Sequence, residues 1–279
     1  MYDSHAHVIS DDLAAFPVAN PEDPVVAERL KAPFTAEQLL GEMDRAGVDK
    51  ALLVQRGQVY RFDNRYILAA ARASGGRLKA VCGINAAEPD CGAVVARLHE
   101  EGAVGMRLMA RMGDQSFGWL DGEHSAGFWA MAAERALPVC VHFFGWNREE
   151  GVQRLALMLD RYPIADLVID HLTNSPIESA EACGIDATVR AMGERANVAL
   201  KFTAIPLNDL AERAIDAGQV LGAYLSLFGA DRLLWGSDVT QSSGSYDEIV
   251  ARGRAAVAGF APEVQDSLLE QTVARIYGL

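Results

Sequence analysis

In the opening stretch MYDSHAHV a single alanine separates His5 from His7. On an extended backbone a spacing of two turns both imidazoles to the same side, where they can act on one centre. Further along, residues able to do chemistry stand at the ends of short apolar runs: Arg107 in GMRL, His142 in VCVHF, Asp170 and His171 in VIDHL, Lys201 in VALKF, and Asp238 in LLWGSDV. Three imidazoles and a carboxylate brought to one mouth form a ligand set for a divalent ion of the zinc type, with a position left for water. Such an ion lowers the pKa of a bound water toward neutrality, and a carboxylate in reach can take its proton. Arg107 and Lys201 nearby would bind an anionic substrate, the arginine in bidentate fashion.

Each residue alone has a plainer explanation. With 6 histidines in 279 residues, a His-x-His pair can arise by chance. His142 reads equally as a hydrogen-bonded core histidine, Asp238 as a helix N-cap or turn residue, Arg107 as half of a buried ion pair, and Asp170 as a partner of a backbone amide. The argument rests on joint placement. Four of the 6 histidines end apolar runs, whereas His99 and His124 fall in helical or loop sequence and read as surface residues.

The runs that must position these side chains recur along the whole length: Tyr2 to Ser4, Ala51 to Val54, Leu78 to Ile84, Val104 to Leu108, Pro138 to His142, Asp166 to Asp170, Val198 to Phe202 and Leu233 to Trp235. Continuous apolar runs of this length read as strands buried in a parallel sheet. Between them, helical spacing predicts helices over Thr35 to Ala46, Asn64 to Ala73, Asp90 to Glu100, Ser125 to Arg135, Gly151 to Tyr162, Ala187 to Arg195 and Asp209 to Phe228, with a closing pair from Tyr246 onward. Thr35 followed by Gln38 has the form of a capping box. Strict alternation with eight strands points to an α/β protein of the (β/α)8 TIM barrel type, one domain over 1–279, with a doubly wound sheet as the alternative. In a barrel the chemistry gathers at the C-terminal strand ends, where these polar residues lie. The stretch from Ile9 to Pro33, with four prolines, reads as an irregular loop after the first strand.

Bulk properties narrow the function. A formal charge of −13 repels phosphate backbones and anionic lipid, so neither nucleic acid nor membrane is an expected partner. No apolar run approaches the roughly 20 residues of a membrane helix, and the chain reads as soluble and cytoplasmic. Its 4 cysteines form no C-x-x-C pair, so neither a disulfide framework nor a cysteine metal site is expected. A homo-oligomer is compatible with the sequence but not required by it.

DSHAHV, GMRL, VCVHF, VIDHL and LLWGSDV, in that order, resemble the amidohydrolase superfamily, in particular the amidohydrolase-related branch of 2-pyrone-4,6-dicarboxylate lactonase and related lactonases and decarboxylases. VQRGQVYRFDNRYILAAAR resembles the segment after strand two in the dicarboxylate lactonases, and EQTVARIYGL the closing helix. The resemblance implies a (β/α)8 barrel holding one divalent ion, zinc before manganese, with His5, His7, His142 and Asp238 as ligands. It also implies acid/base work for His171. Lactonases without the strand-five histidine can work without metal, so His142 favours a metal-dependent reaction. Arg107 stands where dinuclear members carry a bridging lysine or glutamate, which argues against two ions. The chain departs from the pattern after Asp238, where Val239, Thr240, Gln241, Ser242 and Ser243 replace the usual Trp-Pro or Tyr-Pro, and in DHLTNSP, where Asn174 and Ser175 become candidate substrate contacts.

The resulting expectation is a hydrolase of a lactone or cyclic ester of a carboxylic acid. Asp238 would be general base, His171 would assist the leaving group, and Arg107 with Lys201 would stabilise negative charge. Gln55, Arg56 and Arg111 are further substrate candidates that read equally as surface loop residues. The arginine of strand four and the tryptophan of LLWGSD favour a lactonase over the alternative, a non-oxidative decarboxylase of an aromatic or muconate-type acid. A binding protein on a decayed enzyme scaffold is the third reading, opposed by the intact histidines and Asp238.

Overall fold

The computed structural model describes residues 1–111 and 114–279. Eight strands lie side by side in chain order, every pairing parallel: β1 (Tyr2–Ala6), β2 (Lys50–Val54), β3 (Leu78–Gly83), β4 (Ala103–Met109), β5 (Val139–His142), β6 (Leu167–Ile169), β7 (Val198–Thr203) and β8 (Leu233–Gly236). With helices between successive strands, this is a single-domain (β/α)8 barrel, nearly closed; the unbroken strand order rules out the doubly wound alternative.

Strand periodicity sorts the side chains into two cores. Leu52, Val54, Val81, Cys140, Val168, Ala199 and Leu234 fill the barrel interior and rest on Val273, Ile276 and Tyr277 of the closing helix Thr272–Tyr277. Their neighbours Leu53, Val139, Val141, Leu167, Ile169, Leu200 and Leu233 face outward into the larger core beneath the helices. A step of two keeps a strand residue on the same face. From the interior apolar residues such steps lead to Arg56, His142, Asp170, Lys201 and, past the end of β8, Asp238. The interior is therefore apolar at its base and ionic at its top.

The last seam is made by side chains as much as by backbone. One isolated bridge joins Ala6 to Val239, and Asp238 N–H donates to His5 C=O at 2.6 Å. Below it the buried Asp3 carboxylate accepts from His5 N–H (2.9 Å), Ser237 N–H (2.8 Å) and the Tyr246 hydroxyl (3.1 Å), tying β1 to β8 and to the helix Tyr246–Val257. Gly236 permits this approach: a Cβ there would lie 2.7 Å from His5 Cβ.

The capping box at Thr35 and Gln38 forms as expected. Two expectations are corrected. Part of the stretch from Ile9 to Pro33 is helical, Pro24–Leu30, because Asp23 caps it and Pro24 takes the first turn, where no N–H is needed. The single helix expected over Asp209 to Phe228 is two, Ala204–Glu212 and Ala217–Phe228; Ala214 at φ 54° ends the first, and Asp216 caps the second by accepting from Gln219 N–H. Among the described residues no helix is long and apolar enough to cross a membrane.

Asp3→Ala leaves three buried donors without an acceptor. It should lower the unfolding free energy by about 3 kcal/mol, at roughly 1 kcal/mol or more per orphaned group. Urea unfolding checks this; wild-type stability would show that the seam does not depend on the carboxylate.

Candidate active site

At the centre of the ionic layer lies one fully buried carboxylate. Asp170 follows β6, and its Oδ2 accepts from Arg107 Nε (3.1 Å) and Nη2 (2.9 Å), reaching past β5 to β4. Its Oδ1 lies 3.2 Å from His5 Nδ1, 3.4 Å from Lys201 Nζ and 3.1 Å from the Cys140 thiol. Burial works to raise the Asp170 carboxyl, but the charges facing it, Lys201 and Arg107 among them, hold it well below the ordinary carboxylate range. Burial also pushes the Cys140 thiol up to about 12, so it acts as a neutral donor to this carboxylate. Lys201, with no exposed surface, also has Nζ 3.2 Å from His5 Nδ1.

Above this layer three ligand atoms converge. His5 Nε2 and His7 Nε2 are 3.3 Å apart, and Asp238 Oδ1 lies 3.5 Å from the first and 3.1 Å from the second. Around an ion with bonds of about 2.0–2.1 Å, adjacent ligand atoms are about 3.0–3.4 Å apart, so the spacing fits one divalent cation. The far side of each ring supports the same conclusion. His5 Nδ1 faces Asp170 Oδ1, and His7 Nδ1 lies 2.8 Å from the carbonyl of Val54. Protonation at both Nδ1 atoms satisfies those acceptors and turns the Nε2 lone pairs toward a common point, the arrangement that metal-binding histidines take from their outer partners. Burial lowers the pKa of His5, His7, His142 and His171, which keeps the imidazoles neutral, as ligation requires. Burial would raise the Asp238 carboxyl, but its contacts with His7 and the surrounding imidazoles hold it low and ionised.

His171 stands beside this cluster on an unusual piece of backbone. His171, Leu172, Thr173 and Asn174 have φ of 52°, 49°, 63° and 51°, a left-handed turn without a glycine, at a cost of about 1 kcal/mol or more per residue. Its hydrogen bonds offset that cost: Thr173 N–H donates to Asp170 C=O at 3.0 Å, Arg148 Nε donates to Thr173 Oγ1 at 3.2 Å, and the Asn174 amide donates to Phe143 C=O. The turn leaves His171 Nδ1 2.6 Å from Thr203 Oγ1 and the ring 5.3 Å from that of His5. No residue type in the sequence signals this turn. Asn174 and Ser175, expected as substrate contacts, are instead engaged in holding it, Ser175 through Thr173.

Other expected residues are placed differently from their sequence reading. His142 joins no group of converging ligand atoms among the described residues: its Nδ1 is 3.9 Å from Asp170 Oδ2 and is buried without a hydrogen bond. His142 packs instead against Phe144, which stacks on the exposed Trp146. Lys201, expected to meet a substrate anion, is sealed beneath His5, and two nitrogens of Arg107 are engaged by Asp170. Gln55 and Arg56 are buried rather than surface residues; the Gln55 amide donates to Asp63 C=O (2.5 Å), and Arg56 donates to Thr240 Oγ1 (3.1 Å) and Gln241 Oε1 (2.7 Å). Arg111 is exposed. Asp170, read from the sequence as a possible backbone partner, is the residue most underrated there; its period-two match with the interior residue Val168 was the available signal.

The amidohydrolase family model, Amidohydro_2, matches residues 2–279. The chain belongs to the amidohydrolase family. Among solved structures, this amidohydrolase is similar to a candidate 2-pyrone-4,6-dicarboxylic acid hydrolase from Pseudomonas putida, with 25% identity, a TM-score of 0.78, and coverage of 99% of this chain and 97% of that one. An amidohydrolase from Burkholderia multivorans with bound zinc is 21% identical, with a TM-score of 0.76 over 100% of this chain and 99% of that one. The 5-carboxyvanillate decarboxylase from Sphingomonas paucimobilis shares the fold at 14% identity, with a TM-score of 0.68 over 100% of this chain and 99% of that one. Among curated proteins no relative matches the chain.

Two outcomes follow from the charge layout of this amidohydrolase. Asp170→Asn leaves Arg107 and Lys201 buried without their counter-charge and should cost about 3–5 kcal/mol in urea unfolding; a loss below about 1 kcal/mol would remove Asp170 from its central place. The four histidines titrate below their ordinary 6.5 in the folded state, so from pH 6.5 downward the unfolded chain takes up protons that the native state refuses. The stability of chelator-treated protein should therefore fall as pH drops from 7 to 5. A flat profile would mean that the rings are not held neutral.

Proposed function

We propose that this amidohydrolase hydrolyses a lactone or related cyclic ester bearing a carboxylate, by attack of an activated water, with one divalent ion held by His5, His7 and Asp238. The observation that carries the reading is the convergence of the two Nε2 atoms and Asp238 Oδ1 within 3.1–3.5 Å. Zinc fits this nitrogen and oxygen donor set first and manganese second. An ion bound there supplies Lewis acidity at the scissile carbonyl and favours deprotonation of a nearby water. His142, with its orphaned Nδ1, is left for a substrate polar group or a further ligand.

Asp238, ionised at neutral pH, accepts the proton of the attacking water. With Nδ1 accepting from the Thr203 hydroxyl, neutral His171 presents Nε2–H as a hydrogen-bond donor to the ring oxygen, and the proton that Asp238 takes from the water passes to that oxygen as the ester C–O bond breaks. The Nη1 edge of Arg107 makes no hydrogen bond among the described residues and can meet developing negative charge, while Asp170 fixes the rest of the guanidinium. Lys201 acts from below, on Asp170 and His5. Support for hydrolysis over decarboxylation comes from the likeness to the Pseudomonas putida protein, which is greater in both identity and TM-score than the likeness to the decarboxylase.

Protein purified without chelator or metal-affinity resin should carry about one equivalent of zinc or manganese by plasma mass spectrometry, lost in His7→Ala. Wild type should open carboxylated lactones with uptake of one water and no carbon dioxide, and His5→Ala should lose at least about 100-fold in kcat/KM while remaining folded. Carbon dioxide release from aromatic acids would replace the hydrolase reading with a decarboxylase. Wild-type turnover by His5→Ala would end both.

A further inference from the structure

Among the described residues four cationic side chains are buried: Arg56, Arg107, Arg148 and Lys201. Three of them have a carboxylate close by, Arg107 at 2.9 Å and Lys201 at 3.4 Å from Asp170, and Arg148 at 2.7 Å from Asp186. Arg56 makes no ion pair among the described residues. It is 3% exposed, its hydrogen bonds go to the neutral oxygens of Thr240 and Gln241, and its Nε is buried with no partner at all. A buried cation that lacks a counter-charge is costly, and a fold retains one where an anion arrives to complete it.

The place of Arg56 indicates which anion. It lies two residues beyond Val54, whose carbonyl holds His7 Nδ1, and its two acceptors lie two and three residues beyond Asp238. Gln241 N–H in turn donates to Asp238 C=O at 3.0 Å. The guanidinium is thus tied to the segment that carries Asp238, while the strand end it extends from holds the His7 ring. Burial pulls its pKa down only to about 10, against the favourable charge of Asp238, so it stays cationic at neutral pH. The other cations of the mouth are less suited to this task, because Lys201 is sealed below His5 and Arg107 already has its counter-charge in Asp170.

The geometry points to Arg56 as the residue that selects the substrate: it receives a carboxylate on the substrate, at the side of the mouth between β2 and β8, away from the reacting ester. This rests on the reading of the site as a hydrolase of carboxylated rings and deepens it. The substrate class becomes a cyclic ester whose carboxylate is held by Arg56 through Nε and one terminal nitrogen, with Thr240 and Gln241 keeping the guanidinium in place.

The test uses metal-loaded enzyme and unreactive probes, isophthalate and its neutral counterpart isophthalamide, measured by titration calorimetry on wild type, Arg56→Met and Arg56→Lys. Wild type should prefer isophthalate by at least about tenfold, about 1.4 kcal/mol. Arg56→Met should lose most of that preference, Arg56→Lys should keep part of it, and the melting temperature of Arg56→Met should stay at or above that of wild type. An undiminished preference in Arg56→Met, or no preference in wild type, overturns the assignment. So does a fall of several degrees in the melting temperature of Arg56→Met, which would make Arg56 a brace for the segment after β8. Lactone turnover with an unchanged carboxylate preference in Arg56→Met sinks the receptor and leaves the hydrolase; the lost preference without any turnover by wild type does the reverse.

Discussion

One carboxylate organises the upper half of this barrel. Asp170 has no exposed surface, yet Arg107, Lys201, His5 and Cys140 all reach it within 3.4 Å. A charge in that position is tolerable only because its partners supply both opposite charge and hydrogen bonds. The partners depend on it equally, since Lys201 would otherwise be an isolated ammonium in the middle of a protein. The consequence reaches the ligand cluster: fixing His5 through Nδ1 determines which nitrogen faces His7 and Asp238.

The barrel supplies this arrangement by layering. Interior positions at the base carry Leu52, Val81, Val168 and Leu234 above the aromatic plug of Tyr277, while further along the same faces of β2, β6 and β8 stand Arg56, Asp170 and Asp238. Hydrophobic burial below holds the strands at the separation the ionic layer requires, so the pairing adds specificity more than stability. The seam between β1 and β8 is the least regular joint in the barrel. It coincides with the ligand cluster, because His5, His7 and Asp238 all come from the two strand ends that meet there. Closing the barrel and assembling the site are the same event.

Strain is concentrated in the same region. The left-handed turn over His171 to Asn174 and the positive φ of Asp238 and Thr240 are non-glycine exceptions at the mouth. Backbone held in such conformations persists where surrounding contacts over-determine it, and such sites are often functional. Arg148 and Phe143 C=O provide those contacts for the first, and the hydrogen bonds from Gln241 and Ser242 N–H to Asp238 C=O for the second. Neither turn contains a glycine or proline, which is why residue types alone give no warning of them.

By itself the sequence determined the eight-strand alternation, the period-two placement of His5, His7, His142, Asp170 and Lys201 on inward faces, and the presence of Asp238 beyond the last strand. These are local properties: burial on both faces writes continuous apolar runs, and a pleated strand repeats every two residues. A helix boundary such as that at Ala214 was less legible, since helical spacing runs on through a residue that the fold turns to positive φ. Tertiary structure alone decided how the charges divide. Arg107 and Asp170 are 63 residues apart and meet only because β4 and β6, with β5 alone between them, bring their inward faces together in the barrel. Once that carboxylate is shared by Arg107 and Lys201, His142 stands apart from the ligand cluster and Arg56 is the cation left unpaired. Which side chains face inward is a property of each strand; which of them neutralise one another depends on distances across the barrel, and no stretch of sequence contains those.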